Sequence, residues 1–389
     1  MIDLFTGEFL LHPAPLEYSG RTCSHRCAYC FSSIRNKNIS AKFKQTLSFF
    51  ENINSGRTLM KELFRRGYSI CISNRTDPLS DSNIDDSLIL ADILRGRPNG
   101  IFLQTKGGRR QYELLDKLSP AKDFIYITIT CATDAKAKII EPGAPLTSER
   151  LEFAAECARR GFLTCLAFNP YVEEWQTHAQ TRQMIDRAKS FGVNMFIFQA
   201  LHLSSREIKT FEPWRMKHFD GLDFEAEFKD HKGQRYMQGI VSELREDASV
   251  DVVSFGMPWG TRFIERVRAK LGKCFPSNYD FFNFVERNKK DFYTFGDYYE
   301  NITGHSDLRT LFEEPFKEAG KYLFATARNV WKSSPRAQGC ETFKELLRVV
   351  WNDARVNSSP QRNFMFKGFD AISEGGDIFL KRKEVNEDD

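Results

Sequence analysis

The sequence predicts an α/β fold built from parallel βα units, and three observations carry that prediction. Short apolar runs rich in β-branched and aromatic residues recur along the first part of the chain. Amphipathic helical patterns separate them. The intervals are long enough for a crossover of at least about a dozen residues, which a parallel strand pair requires.

Taken in order, Leu16–Ser19 begins the series of strands, followed by Tyr68–Asn74, Gly100–Lys106, Phe124–Thr130, Phe162–Phe168 and Asn194–Leu201. Val252–Phe255 reads as a last short strand before a turn at Gly256, Pro258 and Gly260. Helices are expected near 43–66, 84–96, 109–118, 148–160 and 177–191, the fourth with Ser148 as its N-terminal cap and Gly161 closing it. This number of units suits a barrel or partial barrel as well as a doubly wound sheet. Residues 202–250 break the rhythm with a charged, aromatic stretch at Phe211–Phe219 and read as an insertion or lid. A helix is expected at 261–271, then a mixture of helices and aromatic loops to about 355, and a polar, frayed tail from Lys381. The chain thus divides into a core over 1–258, with an N-terminal lead-in and the insertion, and a C-terminal extension over 259–389.

Composition narrows the class. The 389 residues are 41% hydrophobic and 28% charged, as in an ordinary globular protein, and most of the 35 Phe belong in its core. A formal net charge of +4 is too small to imply a nucleic-acid partner, and a local basic groove would be compatible with it. No basic segment leads into an apolar run at Met1–Gly7, and no run of about 20 apolar residues occurs, so neither a secretory signal nor a membrane helix is expected. Nine Cys without regular spacing argue against a disulfide framework and for a cytoplasmic location with reactive or metal-bound thiols.

Three of those cysteines crowd together. Cys23, Cys27 and Cys30 give the spacing C-x3-C-x2-C, while Cys71, Cys131, Cys157, Cys165, Cys274 and Cys340 are scattered. Three thiolates on one tight loop suit three irons of a 4Fe-4S cluster and leave the fourth iron open. A structural zinc site is the alternative, but it wants four ligands and usually brings them in pairs. No second cysteine pair follows, and His25 sits too tightly within the loop to close a tetrahedron comfortably.

Placed after a first strand, the triplet resembles the signature of the radical S-adenosyl-L-methionine (SAM) superfamily. Further motifs are similar to those of its spore photoproduct lyase-like group: Thr76-Asp77-Pro78 after the second strand, Thr105-Lys106 at the end of the third, and Glu141-Pro142-Gly143-Ala144-Pro145 followed by Arg150-Leu151, Ala158 and Gly161. Asn169-Pro170 stands where the group ends its next strand. Together they cover roughly residues 15–200 in the group's order. The resemblance implies a partial (β/α)6 barrel of TIM type, with a mostly helical C-terminal extension. It also implies a 4Fe-4S cluster and S-adenosyl-L-methionine at the C-terminal ends of the strands, where loops vary without disturbing the packed strands. The activity implied is reductive SAM cleavage to a 5'-deoxyadenosyl radical that abstracts hydrogen, with lyase, repair-like or modification chemistry. The electron donor would be a flavodoxin or ferredoxin.

Within that frame Cys23, Cys27 and Cys30 are the metal ligands. Lys106 is matched in charge to the cofactor carboxylate. Asn74, Thr76 and Asp77 are candidates for its amine or ribose, or else caps of the Asp-Pro turn. Glu141 and Arg150 either pair as a structural ion pair or approach the cofactor, and Asn169 is a candidate for its ribose or adenine side. One departure matters. Spore photoproduct lyases carry a hydrogen-donating cysteine three positions before the aspartate of the second-strand motif, where this chain has Asn74. Cys71 lies three residues further back, on the other face of a period-two strand, and is expected in the core. Cys131 is the remaining candidate thiol donor, and Tyr29 the aromatic expected to pack over the adenine or the cluster.

Three readings of the substrate stand at this point. A nucleic-acid base or lesion would use Arg109-Arg110, beside Gly107-Gly108, and the aromatic, basic stretch 214–219. A protein, peptide or small metabolite would use the region beyond 260. A non-catalytic electron-transfer or binding protein is the third. In the C-terminal region Arg262, Arg266, Arg268 and Lys270 crowd one helix, diluted by Glu265.

Overall fold

The computed structural model describes residues 17–18, 23–30, 42–72, 76–201, 209, 211–219, 232–254, 261–274, 278–304, 306–315, 340–354, 359–361 and 366–383. Asn74, the lead-in before Glu17 and the Gly256–Gly260 turn lie outside them. The chain divides into two units, one of residues 17–53 and 69–273, the other containing 54–68 and 274–389.

The first unit is a seven-stranded sheet in which sequence order and spatial order coincide: β1 (Glu17–Tyr18), β2 (Ile70–Ile72), β3 (Ile101–Thr105), β4 (Phe124–Ile129), β5 (Leu163–Tyr171), β6 (Met195–Ala200) and β7 (Asp251–Ser254). Every neighbouring pair is parallel. A doubly wound sheet reverses its order at a switch point. This one winds in a single direction and ends on β1 and β7 without pairing them among the described residues, which makes it an open, partial barrel. Strands buried on both faces read as continuous apolar runs, as Phe124–Ile129 does, with all six residues buried. Phe102 stacks on Phe124 at 5.4 Å and Phe168 on Phe198 at 4.7 Å, tying neighbouring strands through the core.

Helical crossovers follow the strands: α1 (Lys42–Glu51), then, after a second-unit helix α2 (Leu59–Arg65), α3 (Ile84–Leu94), α4 (Gln111–Leu115), α5 (Asp134–Ile140), α6 (Thr147–Arg159) and α7 (His178–Ser190). The single helix expected over 43–66 is two, separated where Gly56 takes φ +69 and Thr58 caps the next helix by accepting from Lys61 N at 3.3 Å. Ser148 does not cap α6. Its hydroxyl and amide both donate to the Asp134 carboxylate at 2.7 and 2.8 Å, while Glu149 reaches back to the Leu146 amide. Helix α5 is an addition to the expected series, started by Thr133, whose hydroxyl accepts from Lys136 N. After β6 come a short turn of helix, α8 (Pro213–Met216), and α9 (Lys232–Glu246), which packs on β6 and β7 as their crossover. Helix α10 (Thr261–Leu271) then packs on β7 and β4.

In the second unit, helices α11 (Asn278–Asn288), α12 (Phe295–Thr303), α13 (Ser306–Glu313) and α14 (Phe343–Asn352) accompany an antiparallel sheet of β8 (Phe292–Tyr293), β9 (Phe369–Glu374) and β10 (Asp377–Arg382), in the order β8-β10-β9. That sheet takes in Lys381 and Arg382, so the polar tail is ordered to that point: Lys381 pairs with Phe292 on one side and Asp370 on the other. Phe281 is the hub of the unit's core, meeting Tyr293, Tyr298, Trp351 and Phe366 at ring distances between 5.3 and 6.0 Å.

Candidate active site

The cysteine loop is fixed by its backbone, at the C-terminal end of the barrel strands. Cys30 N donates to Cys27 O at 3.1 Å, closing the x2 turn, and Ser24 N donates to Ser82 Oγ at 3.1 Å. The segment after α5 grips the loop from a second side: Ala28 N donates to Ile140 O at 2.8 Å and Gly143 N to His25 O at 2.9 Å. The approach is close enough to require glycine, because a Cβ on Gly143 would lie 2.2 Å from Ser24 O. Arg215, from α8, holds a third side by donating from Nε to Ala28 O at 2.7 Å and from Nη2 to Cys30 O at 2.8 Å. Thus the glycine of the Glu-Pro-Gly-Ala-Pro stretch and a residue 185 positions beyond Cys30 hold one loop.

Beneath it lies a buried network centred on Glu141. Its side chain is fully buried, and Oε2 meets Arg150 Nη2 at 2.6 Å, likewise fully buried. The Tyr29 hydroxyl hydrogen-bonds to Oε1, Lys106 Nζ lies 4.0 Å from the same oxygen, and Cys27 Sγ lies 3.9 Å from it. Burial works to raise the Glu141 pKa, but Arg150 and Lys106 outweigh it and hold the carboxyl below its usual range. Burial likewise works to lower that of Lys106, and its neighbours Cys27, Glu141 and Asp77 outweigh it, so the ammonium stays charged. Arg150 also donates to Pro145 O at 2.8 Å and Thr128 O at 3.2 Å, fastening α6 to the end of β4. The ion pair expected between Glu141 and Arg150 is therefore present, with Lys106 as a third member.

Asp77 ties the second and third strand ends together. Its Oδ1 accepts from Thr105 Oγ1 at 2.6 Å and Leu79 N at 2.9 Å, and Oδ2 accepts from Lys106 N at 2.6 Å. Thr105 Oγ1 in turn accepts from Gly107 N at 2.8 Å. His25 Nδ1 stands 3.5 Å from Asp77 Oδ2, and burial lowers the imidazole pKa, so the contact joins a neutral ring to the carboxylate at neutral pH. The protein's own donors thus surround Asp77 as the cap of its turn. Thr76 is buried beside it.

The fourth and fifth strand ends complete the site. Tyr29 OH and Thr130 Oγ1 are 2.9 Å apart, Thr130 donates to Asn169 O at 3.3 Å, and Asn169 Nδ2 donates to Tyr126 OH at 3.1 Å. The Tyr29 ring packs on Trp175 at 5.7 Å, with Lys106 Nζ over its face at the same distance. Cys131 is fully buried in an apolar cluster with Cys27, Tyr29, Trp175, Phe211 and Phe219, and burial raises its thiol pKa. Cys71 is fully buried within β2, as expected of a core residue. Burial, with Asp77, pushes Cys23 up to about 11, and burial raises Cys27 further. Among the described residues no three His, Cys, Asp or Glu side chains stand gathered as a metal-binding group. The donor set and the anchoring of the loop nevertheless fit an iron-sulfur cluster: three soft sulfur ligands on eight residues, gripped by their backbone and partly shielded by apolar side chains.

Thr105 and Gly143 fall within motifs quoted from the sequence and Arg215 within the basic stretch 214–219, but the sequence assigns none of them, nor Thr130 or Trp175, a role in the site. Their roles come from strands and loops far apart in the chain, and only the threonines, at the ends of apolar strands, gave a local signal. Of the basic candidates, Arg110 pairs with Asp85 and Glu113, and Arg109 lies 3.9 Å from Asp81. Arg262 and Arg266 converge on Asp251 at the start of β7, away from the cysteine loop.

The model of the radical SAM superfamily matches residues 18–198. A solved spore photoproduct lyase complexed with dinucleoside spore photoproduct is similar with a TM-score of 0.43 and 12% identity, over 65% of this chain and 79% of that one. Streptococcus suis SuiB bound to precursor peptide SuiA is similar with a TM-score of 0.40 and 14% identity, over 62% of this chain and 49% of that one. No curated protein matches the chain. The singly wound parallel strands, the cysteine loop at their C-terminal ends and the match across 18–198 agree: residues 18–198 form a radical SAM superfamily domain, which supports enzymatic chemistry of that kind.

Proposed function

We propose that Cys23, Cys27 and Cys30 hold a 4Fe-4S cluster with one iron left for S-adenosyl-L-methionine, and that the enzyme abstracts hydrogen from an organic substrate in the mouth of the barrel. The observation that carries this reading is the grip on the cysteine loop, whose amides and carbonyls are bonded from three other segments. Held by Cys23, Cys27 and Cys30, such a cluster would supply the electron for reductive cleavage of SAM and hence the hydrogen-abstracting chemistry.

The chain's own residues then have definable tasks. Lys106, kept cationic just after β3, is our candidate for meeting the cofactor carboxylate. Glu141 holds Lys106, Tyr29 and Arg150 in one arrangement, and its buried charge is compensated by two cations. Tyr29, braced by Thr130 and Trp175, offers an apolar wall for the adenine. Asn169 is the candidate for the ribose or adenine side, and Asp77, with Thr76 buried beside it, ties the ends of the second and third strands together. The apolar cluster around Cys131, Trp175 and Phe219 supports the exclusion of water from the site, and Cys131 is our candidate thiol for returning a hydrogen atom.

For the substrate we take a nucleic-acid base as the first reading. Its support is the segment 211–219, where Trp214, half-buried, lies under the Arg26 guanidinium at 5.7 Å, an aromatic and a cation side by side at the cysteine loop. Protein, peptide or metabolite modification is the second, favoured by the pairing of Arg109, Arg110, Arg262 and Arg266 with carboxylates. Anaerobic reconstitution followed by iron and sulfide analysis tests the cluster, and salt-dependent binding to single- and double-stranded nucleic acid tests the substrate. About four irons per chain are expected. Tight zinc with no iron overturns the cluster reading, and the absence of any salt-sensitive nucleic-acid binding overturns the first substrate reading.

A further inference from the structure

The segment Phe211–Phe219 contributes a buried cation to the cysteine loop, and no motif of the superfamily resemblance contains it. Arg215 is 7% exposed. Its guanidinium donates to two carbonyls of one short arc, Ala28 O at 2.7 Å and Cys30 O at 2.8 Å, so the fork holds the turn that leads from Cys27 into the last cysteine of the triplet. Phe211 closes its other face, with the guanidinium carbon 3.7 Å from the ring centroid. Those contacts leave the side chain little freedom. The neighbouring Glu212 carboxylate is exposed and accepts from Trp214 Nε1.

A fixed cation near an iron-sulfur cluster stabilises its more negative, reduced form, because potential follows net charge, hydrogen bonding and solvent exposure around the cluster. From this arrangement we infer that Arg215 is a positioning residue that clamps the Cys27–Cys30 arc and raises the reduction potential of the cluster bound there. The inference rests on the cluster reading proposed above. It makes segment 211–219 part of the electron-accepting apparatus in addition to any contact it makes with substrate. Lysine would keep the charge and lose the fork; glutamine would lose both the charge and most of the donors.

The test is a redox titration of the full-length, anaerobically reconstituted protein, read by the spectroscopic signal of the reduced cluster, for the wild type, Arg215→Gln and Arg215→Lys. The Gln variant is expected to reduce at a more negative midpoint than the wild type, and the Lys variant close to it. If Gln fails to retain iron, a loaded Lys variant with the wild-type midpoint still supports the role of the charge. A loaded Gln variant with an unchanged midpoint overturns it, as do equal shifts in both variants. A wild type that binds no iron defeats the cluster reading instead, so the two failures are told apart.

Discussion

At the scale of single residues the site is organised around charges that only make sense together. Glu141 and Arg150 are both fully buried and within 2.6 Å of each other. Removing one partner of such a pair strands the other charge, so Glu141→Gln is expected to cost about 3–5 kcal/mol in denaturant unfolding. A double variant that also replaces Arg150 with Met should recover part of that loss. If the single variant unfolds like the wild type, Glu141 is not the anchor of the network. Thr105 offers a finer probe, since its hydroxyl donates to Asp77 and accepts from Gly107 N. Thr105→Val leaves two buried groups short of a partner and is expected to destabilise by about 1–3 kcal/mol. An unchanged unfolding midpoint would show that water or a neighbour replaces the hydroxyl at no cost. Lys106 was legible in the sequence because a charge at the end of an apolar strand stands out locally, while Glu141 and Arg150 were picked out through the motifs of the family resemblance. Arg215 was not, because its partners are backbone carbonyls near the other end of the barrel sequence, and a carbonyl leaves no mark on residue type.

At the scale of elements, the strands were the most legible part of the chain and the joints between them the least. Phe124–Ile129 and Met195–Ala200 read as strands because burial on both faces demands uninterrupted apolar residues. The break between α1 and α2 was missed because the amphipathic pattern continues on either side of Gly56, whose positive φ and the Thr58 cap separate them. Ser148 was misread as a cap for a comparable reason: a Ser at a helix start is as well used by a neighbouring carboxylate, here Asp134, as by its own helix. The joint that matters most for function is Gly143, where the segment after α5 meets the cysteine loop. Gly143→Ala places a Cβ against the Ser24 carbonyl, and since backbone must move to admit it, a loss of about 1–3 kcal/mol and weaker iron retention are expected. Thermal unfolding and iron analysis check it together; wild-type values for both would mean the loop is not seated on Gly143.

At the scale of the whole molecule, the direction of strand winding decided what periodicity left open. Parallel strands in unbroken sequence order form a partial barrel, and its C-terminal strand ends gather Asp77, Lys106, Thr130 and Asn169 from four different strands or the loops after them. The second unit keeps its own aromatic core. Phe281→Ala removes the ring at its centre and is expected to cost about 3–5 kcal/mol, seen as an earlier unfolding transition by near-UV circular dichroism; a midpoint matching the wild type would remove Phe281 from that position. The antiparallel sheet that completes this unit was hidden from a sequence reading because its strands alternate only weakly, with exposed residues dominating Phe369–Glu374.

The account stands most directly on one assay: full-length protein, reconstituted without oxygen, is given dithionite and S-adenosyl-L-methionine, and the products are separated by chromatography. Formation of 5'-deoxyadenosine by the wild type, and its loss when Cys23, Cys27 and Cys30 are all replaced by alanine, is the predicted result. A cluster that is fully loaded and reducible yet forms no 5'-deoxyadenosine, or formation that survives loss of all three thiols, would contradict it.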